Sequence, residues 1–276
     1  MTLTHRQAQC LKLKPRTRLS PQLERCSLLL SANESFANAQ EDIEVLTGMK
    51  LSHSSHHRRA RGNSLPWGEA SEPVRELSLD GGKVRLRTPK GEKSQWRDYK
   101  AVALHGSCCS GRFQENADLA QWVAQQPLAE EVSVVGDGHP GVWNLAAECV
   151  DDQRRCEVLD WYHLMENLHR VGGSNQRLAQ VREHLWRGRV SDAQASLSDW
   201  DAKAVSNFTQ YLERHRHRLP NYAQRQIKGQ VIGSGEVEST IKQLGSRIKI
   251  AGAQWCANSV NSILRLRCAY LNRQIA

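Results

Sequence analysis

The feature of this sequence that most constrains its fold is the order in which its hydrophobic period changes. Apolar residues recur every three to four positions from Ser20 to about Arg61, which predicts short helices. From Val74 to Leu159 the spacing becomes strand-like, and from Tyr162 onwards it is helical again. Strands that alternate with helices between two helical regions predict an α/β fold.

The strand-like region is expected to hold three hairpin-connected strands, followed by helix, strand, helix and strand. The strands are expected at 74–79, 84–88, 99–105, 132–135 and 155–159, and the helices at 114–125 and after Pro140. In this interpretation Asp80-Gly81-Gly82 is the turn of the first hairpin. The same order of strands is found in a ribonuclease-H-like fold, in which helices flank a mixed sheet.

The whole chain divides into five predicted regions. They are a helix-turn-helix-like DNA-binding region (1–61), a linker (62–73), the first part of a ribonuclease-H-like core (74–161), an all-helical insertion (162–231) and C-terminal helices that complete the core (232–276). Gly48 is expected to stop the second N-terminal helix. Ser52 is expected to cap the last one, which ends in Arg58, Arg59 and Arg61. A plain helical hairpin followed by a basic linker is the alternative for that first region.

The charge of the chain is unevenly distributed. The net charge is +9, with a net +5 in residues 1–62, −2 in residues 63–238 and +6 in residues 239–276. Basic ends are typical of proteins that bind the DNA backbone, whereas a middle rich in carboxylates suits a divalent metal ion. Charge alone does not separate this hypothesis from an ordinary solvated surface.

No run of residues approaches the roughly 18 apolar positions of a membrane span, and the first 20 residues lack the apolar stretch of a secretion signal. We therefore expect a cytoplasmic protein that does not associate with membranes. The eight cysteines show no spacing typical of a zinc site and are expected to be reduced thiols. Cys108 and Cys109 fall where a plain strand or turn is expected.

Three acids occupy contexts suited to metal binding. Asp80 and Asp137 are each followed by glycine where a predicted strand ends, and Glu238 begins a predicted helix after a glycine turn. Three such carboxylates could hold two divalent cations roughly 3.5–4 Å apart, as phosphodiester chemistry requires. Taken singly, an Asp-Gly pair is more often an ordinary turn and an early helical Glu more often serves the helix dipole.

Six ordered motifs give the sequence a family resemblance that extends from about Ser20 to the C-terminus. They are SLDGGKVRLRT (78–88), WRDYK (96–100), GDGHPGVWN (136–144), LDWYHLMENL (159–168), IGSGEVES (232–239), and GAQW (252–255) with RCAYLN (267–272). The chain thereby resembles the Kra-type insertion-sequence transposases, which belong with the DDE transposases related to the Mutator-like group. The resemblance implies a DNA transposase.

The resemblance also implies roles for individual residues. Asp80, Asp137 and Glu238 are expected to be the catalytic, metal-binding acids, with Mg²⁺ or Mn²⁺, and two ions in all. Asp160 and His163 match a DxxH pattern and are expected near the site, unless they form only a helix cap with a packed imidazole. Glu236 is the rival of Glu238, because residues two apart on a helix face about 200° apart and only one can face the metals.

The expected partners are DNA, as the terminal inverted repeats of the element and its target, and further copies of the chain, since two ends must be joined. Phosphate contacts are expected from Lys242, Arg247 and Lys249 as well as from the basic N-terminal helix. Family members carry more sequence ahead of the helix-turn-helix-like region, so we also expect that this copy is shortened. The alternative functions are therefore a defective copy that only binds DNA or interferes with full-length transposase and, with less support, a host nuclease.

Overall fold

The computed structural model describes residues 5–10, 19–200 and 202–275. The strands are β1 (Val74–Leu86), β2 (Gln95–Leu104), β3 (Cys108–Phe113), β4 (Leu128–Gly136) and β5 (Arg155–Leu159). The first seven helices are α1 (His5–Cys10), α2 (Pro21–Asn33), α3 (Phe36–Thr47), α4 (His53–Arg61), α5 (Asn116–Ala124), α6 (Pro140–Cys149) and α7 (Trp161–His169). The others are α8 (Asn175–Trp186), α9 (Val190–Ala195), α10 (Lys203–Arg214), a 3₁₀ helix (Arg216–Arg218), α11 (Tyr222–Ile227), α12 (Gly235–Ile248) and α13 (Ala257–Leu271).

The strands form one mixed sheet in the order β3-β2-β1-β4-β5, and helices flank it, so the predicted α/β class is confirmed. Strand β3 is antiparallel to β2, whereas β4 is parallel to both β1 and β5. Buried valines and leucines of β1 and β4 supply the apolar centre of the sheet, as expected for strands covered on both faces. No helix in the described ranges is long and apolar enough to cross a bilayer.

The prediction of a hairpin turn at Asp80-Gly81-Gly82 was wrong. Strand β1 runs unbroken from Val74 to Leu86, and Asp80 lies inside it. A Cβ atom at Gly82 would lie 2.3 Å from ring atoms of Tyr99, far inside van der Waals contact. Glycine at this position therefore makes room for an aromatic ring and does not mark a turn.

The predicted third strand at 99–105 corresponds to β2, and the strand that follows it, β3, was not predicted as a separate strand. Cys108 and Cys109, where a plain strand or turn was expected, lie in β3 and pair with Leu104 and Ala103 of β2. Cys109 is buried against the sheet. All eight cysteines belong to the described residues, and each has a free thiol.

The chain divides into two compact units. Unit 1 comprises residues 1–68, 83–98 and 242–276, and unit 2 comprises residues 69–82 and 99–241. The prediction that all of 232–276 completes the ribonuclease-H-like core therefore needs correction, since residues 242–276 belong to the unit that holds the N-terminal helices.

In unit 1 the helices α2, α3 and α4 each begin at a serine cap, of which the cap at Ser52 was predicted. Ser20, Ser35 and Ser52 each accept a hydrogen bond from the backbone amide three residues later, which satisfies one exposed N–H at each helix start. Leu23, Ile43 and Leu51 form their shared apolar core. The end of α3 at Gly48, with φ of 68°, is also as predicted.

The C-terminal part of unit 1 is joined to these helices by buried arginines. Arg247 donates from Nε to the carbonyl of Ser31 at 2.6 Å, and its guanidinium lies 4.9 Å from the Phe36 ring centroid and 5.1 Å from that of Trp255. Only 2% of Arg247 is exposed. This burial corrects the expectation that Arg247 contacts phosphates, because the side chain is enclosed by its own unit.

The predicted linker at 62–73 contains no helix or strand, as expected. It is nevertheless held in place, because Asn63 donates to the carbonyls of Ala60 and Ser262 and the Trp67 ring lies under the Arg265 guanidinium at 4.6 Å. The segment therefore packs as part of the fold and is not a free spacer.

The insertion predicted at 162–231 is helical throughout its described elements, which run from α7 to α11. Trp161, Trp186 and Tyr222 form an aromatic cluster, with ring centroids 4.8 to 6.2 Å apart. The two ends of the insertion meet, since the Trp161 amide donates to the Ile232 carbonyl at 2.9 Å. The insertion therefore leaves and rejoins unit 2 at one place.

Candidate active site

Three acids of unit 2 lie at one level of three adjacent parallel strands. Ser78 of β1 pairs with Val135 of β4, so Asp80 and Asp137, each two residues further, fall side by side. Gly136 of β4 pairs with Leu159 of β5, so Asp137 and Asp160, each one residue further, are also neighbours. Because adjacent strands lie about 4.8 Å apart, this register gathers the three carboxylates at one edge.

Asp80 is half-buried, and its Oδ1 accepts a hydrogen bond from the Gly81 amide at 2.6 Å. Burial raises the pKa of Asp80, and the charges of Asp137 and Glu238 raise it further, against the lowering effects of the Gly81 amide and Lys100. Asp80 is therefore within electrostatic reach of both Asp137 and Glu238.

Asp137 follows β4 and turns back on its own loop, where Oδ1 accepts from the His139 amide at 2.8 Å. The next residue, Gly138, has φ of +95°, a left-handed conformation that residues with a side chain rarely adopt. The Asp-Gly pair at this position is thus a genuine turn, unlike the pair at Asp80. It presents Asp137 just before the N-terminus of α6.

Asp160 is fully buried and connects two segments of the site. Its Oδ1 accepts from the His163 amide at 2.9 Å and caps α7, while its Oδ2 accepts from the amide and the hydroxyl of Ser234. Burial alone would raise the pKa of Asp160, but the hydrogen bonds from His163 and Ser234 outweigh it and hold the pKa below its usual value. Asp160 is therefore an ionised anchor for the turn that precedes α12.

Glu238 lies in the first turn of α12, next to that anchored turn. Its Oε1 is 3.3 Å from the Ser234 hydroxyl and 3.9 Å from His163 Nδ1. Glu236 points elsewhere, since its carboxylate accepts from the Gly106 amide at 3.1 Å and lies 3.6 Å from His105 Nδ1. Of the two rivals, Glu238 is the one that lies beside Asp160 and His163.

His163 lies between two carboxylates, with Nδ1 3.5 Å from Asp160 Oδ1 and 3.9 Å from Glu238 Oε1. The hydrogen bond to Asp160 is the main cause that raises the pKa of His163 to about 9. Ligand atoms of Asp160, His163 and Glu238 all lie within 4.8 Å of one another, as a metal site requires. Without a metal ion the cluster is an ion-paired support, and a metal ion would have to displace the proton of His163 and compete with the hydrogen bonds that both Asp160 oxygens accept.

Two side chains of the insertion also reach the Asp137 loop, and sequence reasoning missed both. A Cβ atom at Gly138 would lie 3.1 Å from the Tyr211 hydroxyl and 3.5 Å from His215 Nε2. Burial lowers the pKa of His215 to about 4 and raises that of Tyr211. Arg218 lies 3.2 Å from His215 Nδ1 and can only donate, so the neutral ring carries its proton on Nε2, facing the loop. No local pattern marks these residues, because only the folding of the insertion brings them to Gly138.

Lys100 of β2 was also missed as a site residue, although it closes the quoted motif at 96–100. A Cβ atom at Gly81 would lie 3.1 Å from Lys100 Nζ, and the charge of this cation lowers the pKa of Asp80. Position at the end of a motif was the one available signal in the sequence.

The predicted DNA-binding residues belong to unit 1. Arg58 and Arg61 are exposed on α4, and Arg59 forms an ion pair with Glu24 at 3.3 Å. Arg58 and Arg59 line a groove of about 530 Å³ together with Arg25. Lys242 and Lys249 are exposed at the other end of the unit's sequence. Arg247 is the member of the predicted set that is buried.

No protein-family model matches the chain, and a search of curated proteins found no similar protein.

Proposed function

We propose that this chain is a DDE-type DNA transposase of a bacterial insertion sequence, with Asp80, Asp137 and Glu238 as its catalytic acids. The observation that carries the proposal is the register that sets Asp80 beside Asp137, within electrostatic reach of Glu238. The strand order β3-β2-β1-β4-β5, with β4 and β5 parallel beside β1, supports a ribonuclease-H-like core.

The donor set fits Mg²⁺ or Mn²⁺. Hard divalent cations prefer carboxylate oxygens, and burial together with neighbouring negative charge disfavours the ionised form of Asp80 until a cation compensates it. Asp80, Asp137 and Glu238 would hold the ions, two of them by the resemblance to the family. Bound cations would activate an attacking hydroxyl and stabilise the leaving oxygen of a phosphodiester.

The chain's own residues keep these ligands in place. Asp160 holds the Ser234 turn, and through it the start of α12, so Glu238 is directed by strand β5 as well as by its own helix. Tyr211 and His215 pack against Gly138 and restrict the loop that carries Asp137. Rigid support of this kind is what a site requires when its ligands must not move during the reaction.

The proposed partners are DNA and a second copy of the chain. Unit 1, with its exposed Arg58 and Arg61, is the natural surface for the phosphates of the element ends and target. Joining two DNA ends requires at least two sites, so the active form is proposed to be a homo-oligomer.

The test is cleavage of a labelled duplex that carries the DNA end adjoining the reading frame. With Mg²⁺ the wild-type protein is expected to release a 3′-hydroxyl strand, and Asp137→Asn is expected to cleave less than a thousandth as fast while binding the duplex equally well. Intact DNA with the wild type, or undiminished cleavage by Asp137→Asn, would refute the proposal.

A further inference from the structure

The position of Lys100 suggests a role beyond that of the three acids. Its Nζ would lie 3.1 Å from a Cβ atom at Gly81 and 3.9 Å from one at Gly141. The ammonium group therefore lies between the Asp80 segment of β1 and the first turn of α6, which follows Asp137. It is a cation held at the edge of the sheet where the acids converge.

The charge of Lys100 acts on Asp80 without an ion pair between the two side chains. Its charge lowers the pKa of Asp80. Within the described ranges, however, no carboxylate oxygen lies within 4.0 Å of Nζ. An ammonium group has three hydrogen-bond donors, so at least part of this donor capacity remains for a ligand.

Lys100 Nζ lies between a helix start that favours an anion and carboxylates that favour a cation. Helix α6 has ten residues, and its first turn directs partial positive charge to the same edge. The carboxylates would bind divalent cations there. A group that contacts both a bound cation and Lys100 must itself be an oxyanion, and a phosphodiester has two unesterified oxygens that can make these two contacts at once.

We propose that Lys100 is a catalytic residue that donates a hydrogen bond from Nζ to an unesterified oxygen of the phosphodiester under attack. This inference rests on the proposed function. Its rival is that Lys100 only balances the charge of the acids. The two differ in what they expect on DNA binding, since a phosphate contact shields Nζ and a balancing charge does not.

The first experiment measures that shielding without catalysis. Asp137→Asn protein is acetylated with a lysine-specific reagent, with and without the duplex of the DNA end, in Ca²⁺, and each lysine is quantified by mass spectrometry. Acetylation of Lys100 is expected to fall at least fivefold on binding. Lys228, exposed in the same unit, is the matched control and should change less than twofold. Equal labelling of Lys100 in samples shown to contain bound DNA overturns the inference.

The second experiment separates this inference from the proposed function. Lys100→Gln is expected to cleave roughly 10- to 100-fold more slowly, the loss typical of one charge-assisted hydrogen bond, with Lys100→Arg in between and Lys228→Gln unchanged. Calorimetric binding of Mn²⁺ without DNA should be as tight in Lys100→Gln as in the wild type, or tighter.

The outcomes are distinct. Wild-type cleavage with an equally fast Lys100→Gln refutes the role of Lys100 and leaves the proposed function intact. Weaker Mn²⁺ binding by Lys100→Gln, with its thermal unfolding unchanged, also refutes a role on the phosphate. A wild type that neither binds Mn²⁺ nor cleaves removes the proposed function, and the role of Lys100 falls with it.

Discussion

The two units differ in the sign of their charge. Unit 1 contains 22 Lys and Arg against seven Asp and Glu, a net charge of +15, whereas unit 2 contains 16 against 22, a net −6. The net +9 of the chain conceals this contrast. One unit suits a polyanion and the other suits cations, which agrees with the proposed binding of DNA and divalent metal ions.

Both units bury arginines that donate to backbone carbonyls, but the one acid that is buried among the described residues, Asp160, belongs to unit 2. In unit 1, Arg247 and Arg267 donate to backbone carbonyls and lie over aromatic rings. In unit 2, Asp160 is compensated by an amide and a hydroxyl that hold the site together. Part of the positive charge of unit 1 therefore stabilises its fold, whereas the buried acid of unit 2 supports its site.

The largest expected effect tests whether unit 2 distinguishes its two neighbouring glutamates. Glu238→Gln should lower both Mn²⁺ affinity and the cleavage rate more than about 100-fold, since even losing a group that only orients a metal ligand costs 10- to 100-fold. Glu236→Gln, which alters the contact with Gly106, should stay within a few-fold in both assays. The opposite ranking in calorimetry and cleavage would reassign the third acid.

The next effect tests whether the buried charge of unit 1 is structural. Arg247→Ala removes the hydrogen bond to Ser31 and the packing on two aromatic rings, and it should lower the free energy of unfolding by about 2–3 kcal/mol. Lys249→Ala, exposed two residues away, should change it by less than about 0.5 kcal/mol. Denaturant titration measures both, and equal effects would mean that Arg247 is not structural.

A smaller effect tests whether the exposed charge of unit 1 binds DNA. Combining Arg58→Gln with Arg61→Gln should weaken DNA binding about tenfold and reduce the slope of log affinity against log salt by about 2. Binding titrations at several salt concentrations give this slope. A slope equal to that of the wild type would assign the phosphate contacts to other residues.

The smallest effect concerns pH. Burial lowers the pKa of His56, whose Nδ1 lies 2.9 Å from the Ser27 hydroxyl and 3.2 Å from that of Ser31. The folded state therefore binds this proton less readily than the unfolded state, so stability is complete above the unfolded pKa of about 6.5 and is lost as pH falls below it. The loss should not exceed about 1.4 kcal/mol per pH unit.

His56→Asn is the control, since it keeps a hydrogen-bonding side chain and does not titrate. Thermal unfolding of both proteins between pH 7.5 and pH 5 should show a steeper loss of stability for the wild type. Parallel curves would mean that other groups govern the acid sensitivity.

The strands and helices were more predictable from the sequence than the roles of their residues. The bounds predicted for β5, the Ser52 cap and the Gly48 stop depend on local patterns, and the structure confirms them. The predicted turn at Asp80 was wrong because glycine is found both in turns and where another group packs closely against the backbone. At Gly82 it is the ring of Tyr99 that packs closely, and the sequence alone does not show this contact. Similarly, nothing local to Arg247 reveals that Phe36 and Trp255 enclose it.

The site was also predictable only where local patterns determine it. Asp137 and Gly138 form the expected turn, and the acids at 80 and 137 meet as parallel strands require. Tyr211 and His215 could not be found, because they lie 73 and 77 residues after Gly138, and a helical stretch so far along the chain gives no indication of which loop it will contact.

The contact between Asp160 and Ser234 has a consequence for how such a chain can be remodelled. These residues are 74 positions apart in the sequence, yet they are hydrogen-bonded, and a backbone hydrogen bond between Trp161 and Ile232 lies next to them. Parts of the segment between them could be exchanged or shortened, provided that the chain returns to this point and that Tyr211 and His215, which pack against Gly138, are kept. A helical graft within the insertion that leaves Tyr211 and His215 in place is therefore the natural way to retarget the proposed transposase.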